Sequence, residues 1–402
     1  MTSAQKSAPE LARPSPLPPW PCFGQEEAEA VTAVLESGKV NYWTGQEGKT
    51  FEREFADYIG ARYAVALANG TVALELALVA LGIGPGDEVI TSCRTFIASA
   101  SCAAMRGAVP VLAEVDRDSQ NLTADTMHSL ITPRTKAVIP VHLAGWPCDM
   151  DPILSVAREH ELKVIEDCAQ AHGAQYKGKH VGTFGDAAAF SFCQDKIMTT
   201  AGEGGMLVTD DESVRERAWS FKDHGKSNVA IGTAPKWPPG LFRWVHQSFG
   251  TNWRLSEVQS AVGRVQLRKL PAWVEQRRAN ARLLTEGFSR IPGLRVTIPP
   301  DDARHSYYKY YAFVCPDQLR DDWDRDRVLA EITMEGIPCY TGICPELYLE
   351  AAFRSSGPRE RYPVARELGE TSLMFLVHPT LGEPEMRDTV AAVASVMERA
   401  AR

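Results

Sequence analysis

Between about residues 60 and 210 of this 402-residue chain, short apolar runs alternate with stretches of helical periodicity, and this alternation constrains the fold more than any other feature. The runs are YAVAL at 63–67, EVIT at 88–91, VPVLAEV at 109–115, KAVIPVHL at 136–143, LKVIED at 162–167, AAAFSF at 187–192 and GMLVTD at 205–210. Near-continuous apolar strands spaced by helices are buried on both faces, so the expected fold class is α/β, with a mainly parallel central sheet covered by helices on each side. Ligands of such sheets sit at the carboxyl ends of the strands. After about residue 250 the pattern changes. A long helix is expected to open at LSEVQSAVGRVQL, where Ser256 and Gln259 have capping-box spacing. YYKYYAFV at 307–314 and a closing helix EPEMRDTVAAVASVMERA then indicate a smaller C-terminal α+β domain. The expected division is a flexible N-terminal arm at 1–19, a large domain at 20–254 and a small domain at 255–402.

Composition sets the function classes. With 44% hydrophobic and 23% charged residues the chain can bury a large core. A net charge of -8 without a basic run argues against nucleic acid or anionic lipid as a partner, leaving small molecules and a second copy of the chain. The nine cysteines form no CxxC pair and no Cys/His cluster at zinc spacing, so reduced thiols and no metal are expected. The opening MTSAQKSAPELARPSPLPPWP lacks the apolar centre of a secretory signal, and no run approaches the roughly 18 residues that cross a bilayer. The expected location is the cytoplasm.

Three segments carry the chemistry. In ALANGTVALELALVAL a strand runs through Asn69-Gly70-Thr71 into a helix, presenting free N–H groups and a positive dipole end to an anion, although the same residues also suit an ordinary cap. In LKVIEDCAQAHGA the strand ends at Asp167, with Gln170 three residues on; the carboxylate suits a cap, a magnesium ion or a protonated pyridine nitrogen. The strand AAAFSF then delivers Ser191, and the following loop carries Lys196 beside the glycine-rich TTAGEGGM, which lets backbone approach a bulky ligand.

In their order, NGTVALELAL, RTFIAS, IEDCAQAHGA, FGDAAAFSFCQDKIMTTAGEGGM and FGTNWRLSEVQSAVGRVQL resemble the DegT/DnrJ/EryC1/StrS sugar aminotransferases over about residues 20–390. The resemblance implies the pyridoxal-phosphate transferase fold type I and pyridoxal 5'-phosphate as cofactor. It makes Lys196 the Schiff-base lysine and Asp167 the partner of the pyridinium nitrogen, the two catalytic residues. It has Gln170 contacting the ring hydroxyl, Phe96 stacking on the ring, and Gly70, Thr71 and Ser191 holding the phosphate. Asn252 of GTNWR would reach the phosphate of the neighbouring subunit, which implies a homodimer with shared sites.

The implied reaction moves an amino group from L-glutamate to a nucleotide-linked keto-6-deoxy sugar in two ping-pong halves, for polysaccharide or natural-product biosynthesis. TTAGEGG resembles the branch acting at C4, where several C3 enzymes carry GDGG. VNYWTGQEGKTFE at 40–52 is a candidate lining of the sugar pocket, and Lys222, His224 and Arg254 are candidates for the sugar diphosphate or for surface and interface roles. Aminocyclitol enzymes and aminohydroxybenzoate synthases share the motifs. A sugar 3-dehydratase would carry histidine in place of Lys196, and a non-catalytic nucleotide-sugar-binding protein has no use for that lysine. His172 reads as a packed residue, Glu203 as a turn residue or a general acid, and Cys168 and Cys193 as inert.

Overall fold

A computed structural model describes residues 15–233, 244–353, 358 and 360–402. Its central sheet comprises β1 (Tyr63–Leu67), β2 (Glu88–Ser92), β3 (Val109–Ala113), β4 (Thr135–Ile139), β5 (Lys163–Asp167), β8 (Ala187–Ser191) and β9 (Gly205–Thr209), in the order β1-β9-β8-β5-β4-β2-β3. The strands from β8 to β3 run parallel, while β9 lies antiparallel to both β8 and β1. Two-residue strands β6 (Gln175–Tyr176), β7 (Lys179–His180) and β11 (Ala303–Arg304) form a separate small sheet.

Helices α1 (Gln25–Ser37), α2 (Glu47–Ile59), α3 (Gly70–Leu81), α4 (Ala98–Met105), α5 (Ala124–His128), α6 (Met150–Glu159), α7 (Glu212–Lys222) and α8 (Asn228–Thr233) accompany the large sheet. Helix α3 is apolar nearly all round because it is buried nearly all round, with Leu74, Leu76, Ala77 and Leu78 packed on Val65, Ile139 and Leu207. The small domain pairs β10 (Leu294–Val296), β12 (Tyr310–Val314) and β13 (Ser372–Phe375) in an antiparallel sheet, with α10 (Arg325–Met334), α11 (Pro363–Thr371) and α12 (Glu383–Ala400).

Helix α9 (Glu257–Phe288) joins the two halves. Ser256 and Gln259 form the expected capping box. Leu267, Leu270 and Val274 pack with Phe51, Phe55 and Phe190 of the large half, whereas Ala281, Leu284 and Phe288 belong to the core built by Tyr310, Phe375 and Val393. The boundary expected at 254/255 thus falls at the start of a helix that serves both cores.

Of the N-terminal arm, residues 1–14 lie outside the described residues. The part that follows is tied down: Leu17 packs on the small-domain core and the Pro19 carbonyl accepts from Thr380 Oγ1 at 3.0 Å. Trp20 packs edge-on against Trp273, with ring centroids 5.1 Å apart, and stacks on His378. Among the described residues no helix is long and apolar enough to cross a membrane.

Candidate active site

A cavity of about 820 Å³ opens at the carboxyl ends of β1, β5 and β8, closed on its far side by the segment leading into β12 and by residues 340–343. One wall is the amino terminus of α3. Asn69 caps this helix, its side-chain oxygen accepting from the Val72 N–H at 3.0 Å, and Gly70, Thr71 and Ser191 line the cavity beside it. The backbone is packed tightly here: a Cβ on Gly70 would stand 2.6 Å from Ser191 Cβ, and one on Gly205 would stand 2.3 Å from the Asn69 carbonyl oxygen. Free N–H groups and a positive helix end beside a serine hydroxyl suit a phosphate. Gly70→Ala is expected to push α3 away from β8 and weaken cofactor binding about tenfold or more, measured by titrating the apoprotein with pyridoxal phosphate; unchanged affinity would remove the cradle from this role.

The floor is Asp167, at the end of β5 and only 5% exposed. Its carboxylate accepts from Ser99 Oγ at 2.7 Å and from the Ala169 N–H at 3.0 Å. Burial pushes its carboxyl above the ordinary range, opposed by these hydrogen bonds and by the Lys196 charge. A buried carboxylate facing a cavity with two donors and, among the described residues, no ion pair is the environment that a protonated ring nitrogen completes. Gln170 is held with its oxygen accepting from the Ala144 N–H at 2.9 Å, which leaves its amide nitrogen for a ligand oxygen.

Behind the floor, His142 Nδ1 accepts from the Cys148 N–H at 2.9 Å, so Nδ1 carries no proton and Nε2–H donates to Glu166 at 3.1 Å. Glu166 also accepts from the N–H groups of Gly182, Phe184 and Gly185. Burial alone would raise its carboxyl, but the His142 bond and these donors hold it below the ordinary range. Cys168 Sγ is near enough for an ion to be shared with His142 and Glu166, yet the carboxylate is already committed to four donors.

Lys196 enters from the loop after β8, with its ammonium 4.8 Å from the centre of the Tyr308 ring. The hydroxyl of Tyr308 donates to Asp195, and the Trp20 indole N–H donates to the Lys196 carbonyl at 2.9 Å, so the loop is held on two sides. Among the described residues no carboxylate pairs with this lysine, which leaves its nitrogen for a ligand carbonyl. Phe96 lines the same cavity and is 58% exposed, an uncovered aromatic face beside Asp167 and Lys196. These contacts bring together Gly70, Thr71, Phe96, Asp167, Gln170, Ser191 and Lys196.

Asn252 lies elsewhere, exposed and bridged to Asp223 outside this chain's own cavity. Two diphosphate candidates are corrected. Lys222 is fully buried, paired with Glu52 at 2.8 Å and donating to the Ala66 carbonyl, and Arg254 is bound to Asp223. Both charges are consumed inside the protein. His224 is exposed on a left-handed turn. The 40–52 segment also stays outside the cavity: Tyr42 bonds to Glu52, and Trp43 donates to Asp223 at 2.7 Å. His172 is packed between Phe190 and Phe192, and burial pushes it down to about 3. Glu203 lines the cavity, 3.8 Å from Cys193 Sγ.

The residues missed at the sequence level are Ser99, Asp195, Tyr308, Lys309, Tyr311 and Tyr340. Ser99 was within reach, three residues after Phe96 and so on the same side of the turn that opens α4. The tyrosines and Lys309 come from the small domain, more than a hundred residues from Lys196, and no local signal places them here.

The chain matches the model of the DegT/DnrJ/EryC1/StrS aminotransferase family over residues 21–394. It is 36% identical over 382 residues to the spore coat polysaccharide biosynthesis protein SpsC of Bacillus subtilis, covering 94% of this chain and 96% of that one. It is 37% identical over 362 residues to the GDP-perosamine synthase of Caulobacter vibrioides, covering 88% and 92%. The X-ray structure of the aminotransferase from Psychrobacter cryohalolentis is similar at a TM-score of 0.92 and 50% identity, over 96% of this chain and 99% of that one. A phosphate cradle, a buried carboxylate and an unpaired lysine around one cavity have the composition of a pyridoxal-phosphate site, and with these matches the chain belongs to the DegT/DnrJ/EryC1/StrS aminotransferase family, as a pyridoxal-phosphate-dependent transaminase of fold type I.

Proposed function

We propose that this protein transfers the amino group of L-glutamate to a nucleotide-linked keto-6-deoxy sugar, at C4 in preference to C3, in polysaccharide or natural-product biosynthesis. The observation that carries the reading is the convergence of Lys196, Asp167 and the α3 cradle on one cavity of about 820 Å³, walled opposite by Tyr308, Tyr311 and Tyr340. That volume is within the range of small-molecule sites, and aromatic faces suit a sugar ring. The C4 preference rests on the TTAGEGG segment beside Lys196.

Pyridoxal phosphate, when bound, supplies a carbonyl that accepts the amino group and a ring that withdraws electrons from the carbon losing its proton. Asp167, a buried carboxylate at the cavity floor, would face the ring nitrogen and keep it protonated. Lys196 Nζ would hold the cofactor through its carbonyl and, once displaced by the donor's amino group, would be free as a base to take the proton from the donor's α carbon. Gln170 would orient the ring by donating to its hydroxyl, Phe96 would stack on it, and Gly70, Thr71 and Ser191 would hold the phosphate. Water would release the 2-oxo acid by taking the place of the nitrogen on its carbon, the keto sugar would enter the same cavity and lose its oxygen as water, and Lys196 would deliver a proton to the sugar carbon that receives the nitrogen. Asn252 serves the cradle of a second copy in a homodimer; its loop carries Trp244 and Phe249, 81% and 99% exposed, apolar surface of the kind an interface covers.

L-glutamate added to the purified holoenzyme should convert the cofactor's visible absorption to that of its pyridoxamine form, and a keto sugar nucleotide should reverse the change. Run with keto-inositols in parallel, the panel decides the acceptor: reversal by a cyclitol alone would overturn the sugar reading.

A further inference from the structure

The cavity holds a second lysine that the reaction above does not use. In β12, Tyr310, Ala312 and Val314 face the small-domain core. Side chains alternate along an extended strand, so Tyr311 turns the other way, and it lines the cavity together with Lys309, the residue just before the strand. Lys309 Nζ lies 4.7 Å from the centre of the Tyr308 ring, the same ring that Lys196 approaches to 4.8 Å. The two ammonium groups are therefore no further apart than these distances together allow. Among the described residues no carboxylate forms an ion pair with Lys309. Asp195 accepts from the Tyr308 hydroxyl, and Asp167 from Ser99.

The surroundings of Lys309 favour an anion. Burial pushes its ammonium down to about 8, Asp195 opposes that shift, and the Arg277 and Lys196 charges add to it. Arg277 stands behind the wall, donating to the Tyr308 carbonyl at 3.2 Å, and Glu203 also lines the cavity. A partly buried cation without a counter-ion is costly, and an incoming carboxylate removes that cost. The ligand is expected close to the reacting atoms, because Lys196 and Lys309 share one ring. An amino donor carries its α carboxylate on the carbon that reacts, whereas the diphosphate of a sugar nucleotide is separated from a C3 or C4 ketone by the sugar ring.

We propose that Lys309 receives a carboxylate of the amino donor and so selects the donor half of the reaction. The inference rests on the transaminase reading above, and its test separates the two. Cofactor-loaded wild type, Lys309→Met and Lys309→Arg are compared, with equal cofactor absorbance confirming that each is folded. Binding of glutarate, a dicarboxylate without an amino group, is measured by calorimetry at pH 7 and pH 9. We expect Lys309→Met to weaken glutarate about 10- to 100-fold, the usual range for a lost charge-assisted contact, and Lys309→Arg to retain it. Wild-type affinity should fall from pH 7 to pH 9, since the ammonium deprotonates across that interval, and Lys309→Arg should remove the fall. The donor half-reaction of Lys309→Met should slow while the sugar half-reaction from the pyridoxamine form is kept. Slowing with both L-alanine and L-glutamate assigns the α carboxylate, and slowing with L-glutamate alone assigns the side-chain carboxylate. Unchanged glutarate affinity, or a loss confined to the sugar half, overturns the proposal. Wild type that fails to react with any donor overturns the transaminase reading instead.

Discussion

Lys196→Ala should abolish turnover, lowering both half-reactions by at least about 10³-fold, because in the proposed mechanism one nitrogen both holds the cofactor and moves the proton. Its surroundings make the role hard to replace. Asp195 is engaged by Tyr308, Glu203 faces Cys193, and Lys309 reaches the cavity from the opposite domain. The variant should still bind pyridoxal phosphate through the α3 cradle and Asp167, but without the absorption of the lysine-linked form. Single-turnover absorbance with L-glutamate checks this. A variant retaining even a tenth of the wild-type rate would show that another group carries the proton.

Asp167→Asn should lower turnover by about 10²- to 10³-fold, the usual cost of removing one preorganised electrostatic partner, while stabilising the protein that lacks cofactor. The second effect follows from burial. Because the folded carboxyl titrates above its ordinary value, its ionised form weakens the fold at pH above the folded pKa, and the penalty is absent below the unfolded pKa. The apo variant should therefore melt higher than apo wild type at pH 7, and the gap should close as the pH falls into the carboxylate range. With pyridoxal phosphate bound the order should reverse, since the wild type gains an ion pair with the ring nitrogen. Scanning calorimetry of both proteins with and without cofactor tests the claim; an apo variant that melts lower at pH 7 would mean that Asp167 is a structural cap.

Much of this was legible along the chain because it depends on near neighbours. Every strand of the central sheet falls inside one of the apolar runs to within a residue, since strands covered on both faces are mostly apolar; Glu166 and Asp167, polar residues of β5, are buried with hydrogen-bond partners. Asn69-Gly70-Thr71 announces a helix start because the cap bonds to an N–H three residues away, and Ser256 with Gln259 does the same. Gly70, Asp167, Ser191 and Lys196 share one cavity because each ends a strand, or follows one, at the same edge of the sheet.

Other features had no local signal. Lys222 and Arg254 look like surface cations in sequence, but Glu52 and Asp223 reach them only when α2, α7 and the 250–254 segment pack together. The arm reads as loose from its prolines, yet Trp20 is fastened by Trp273, His378 and the Lys196 carbonyl, three partners supplied by distant segments. Periodicity and capping determined by the sequence alone where the seven central strands lie, where α3 and α9 begin and that Gly70, Asp167, Ser191 and Lys196 stand at one edge of the sheet, since those depend on neighbours a few residues apart. Only the tertiary structure decided which charges are neutralised, how α9 ties two cores together and why Tyr308 and Lys309 stand opposite Lys196, since burial and long-range pairing exist only once the two halves have closed on each other.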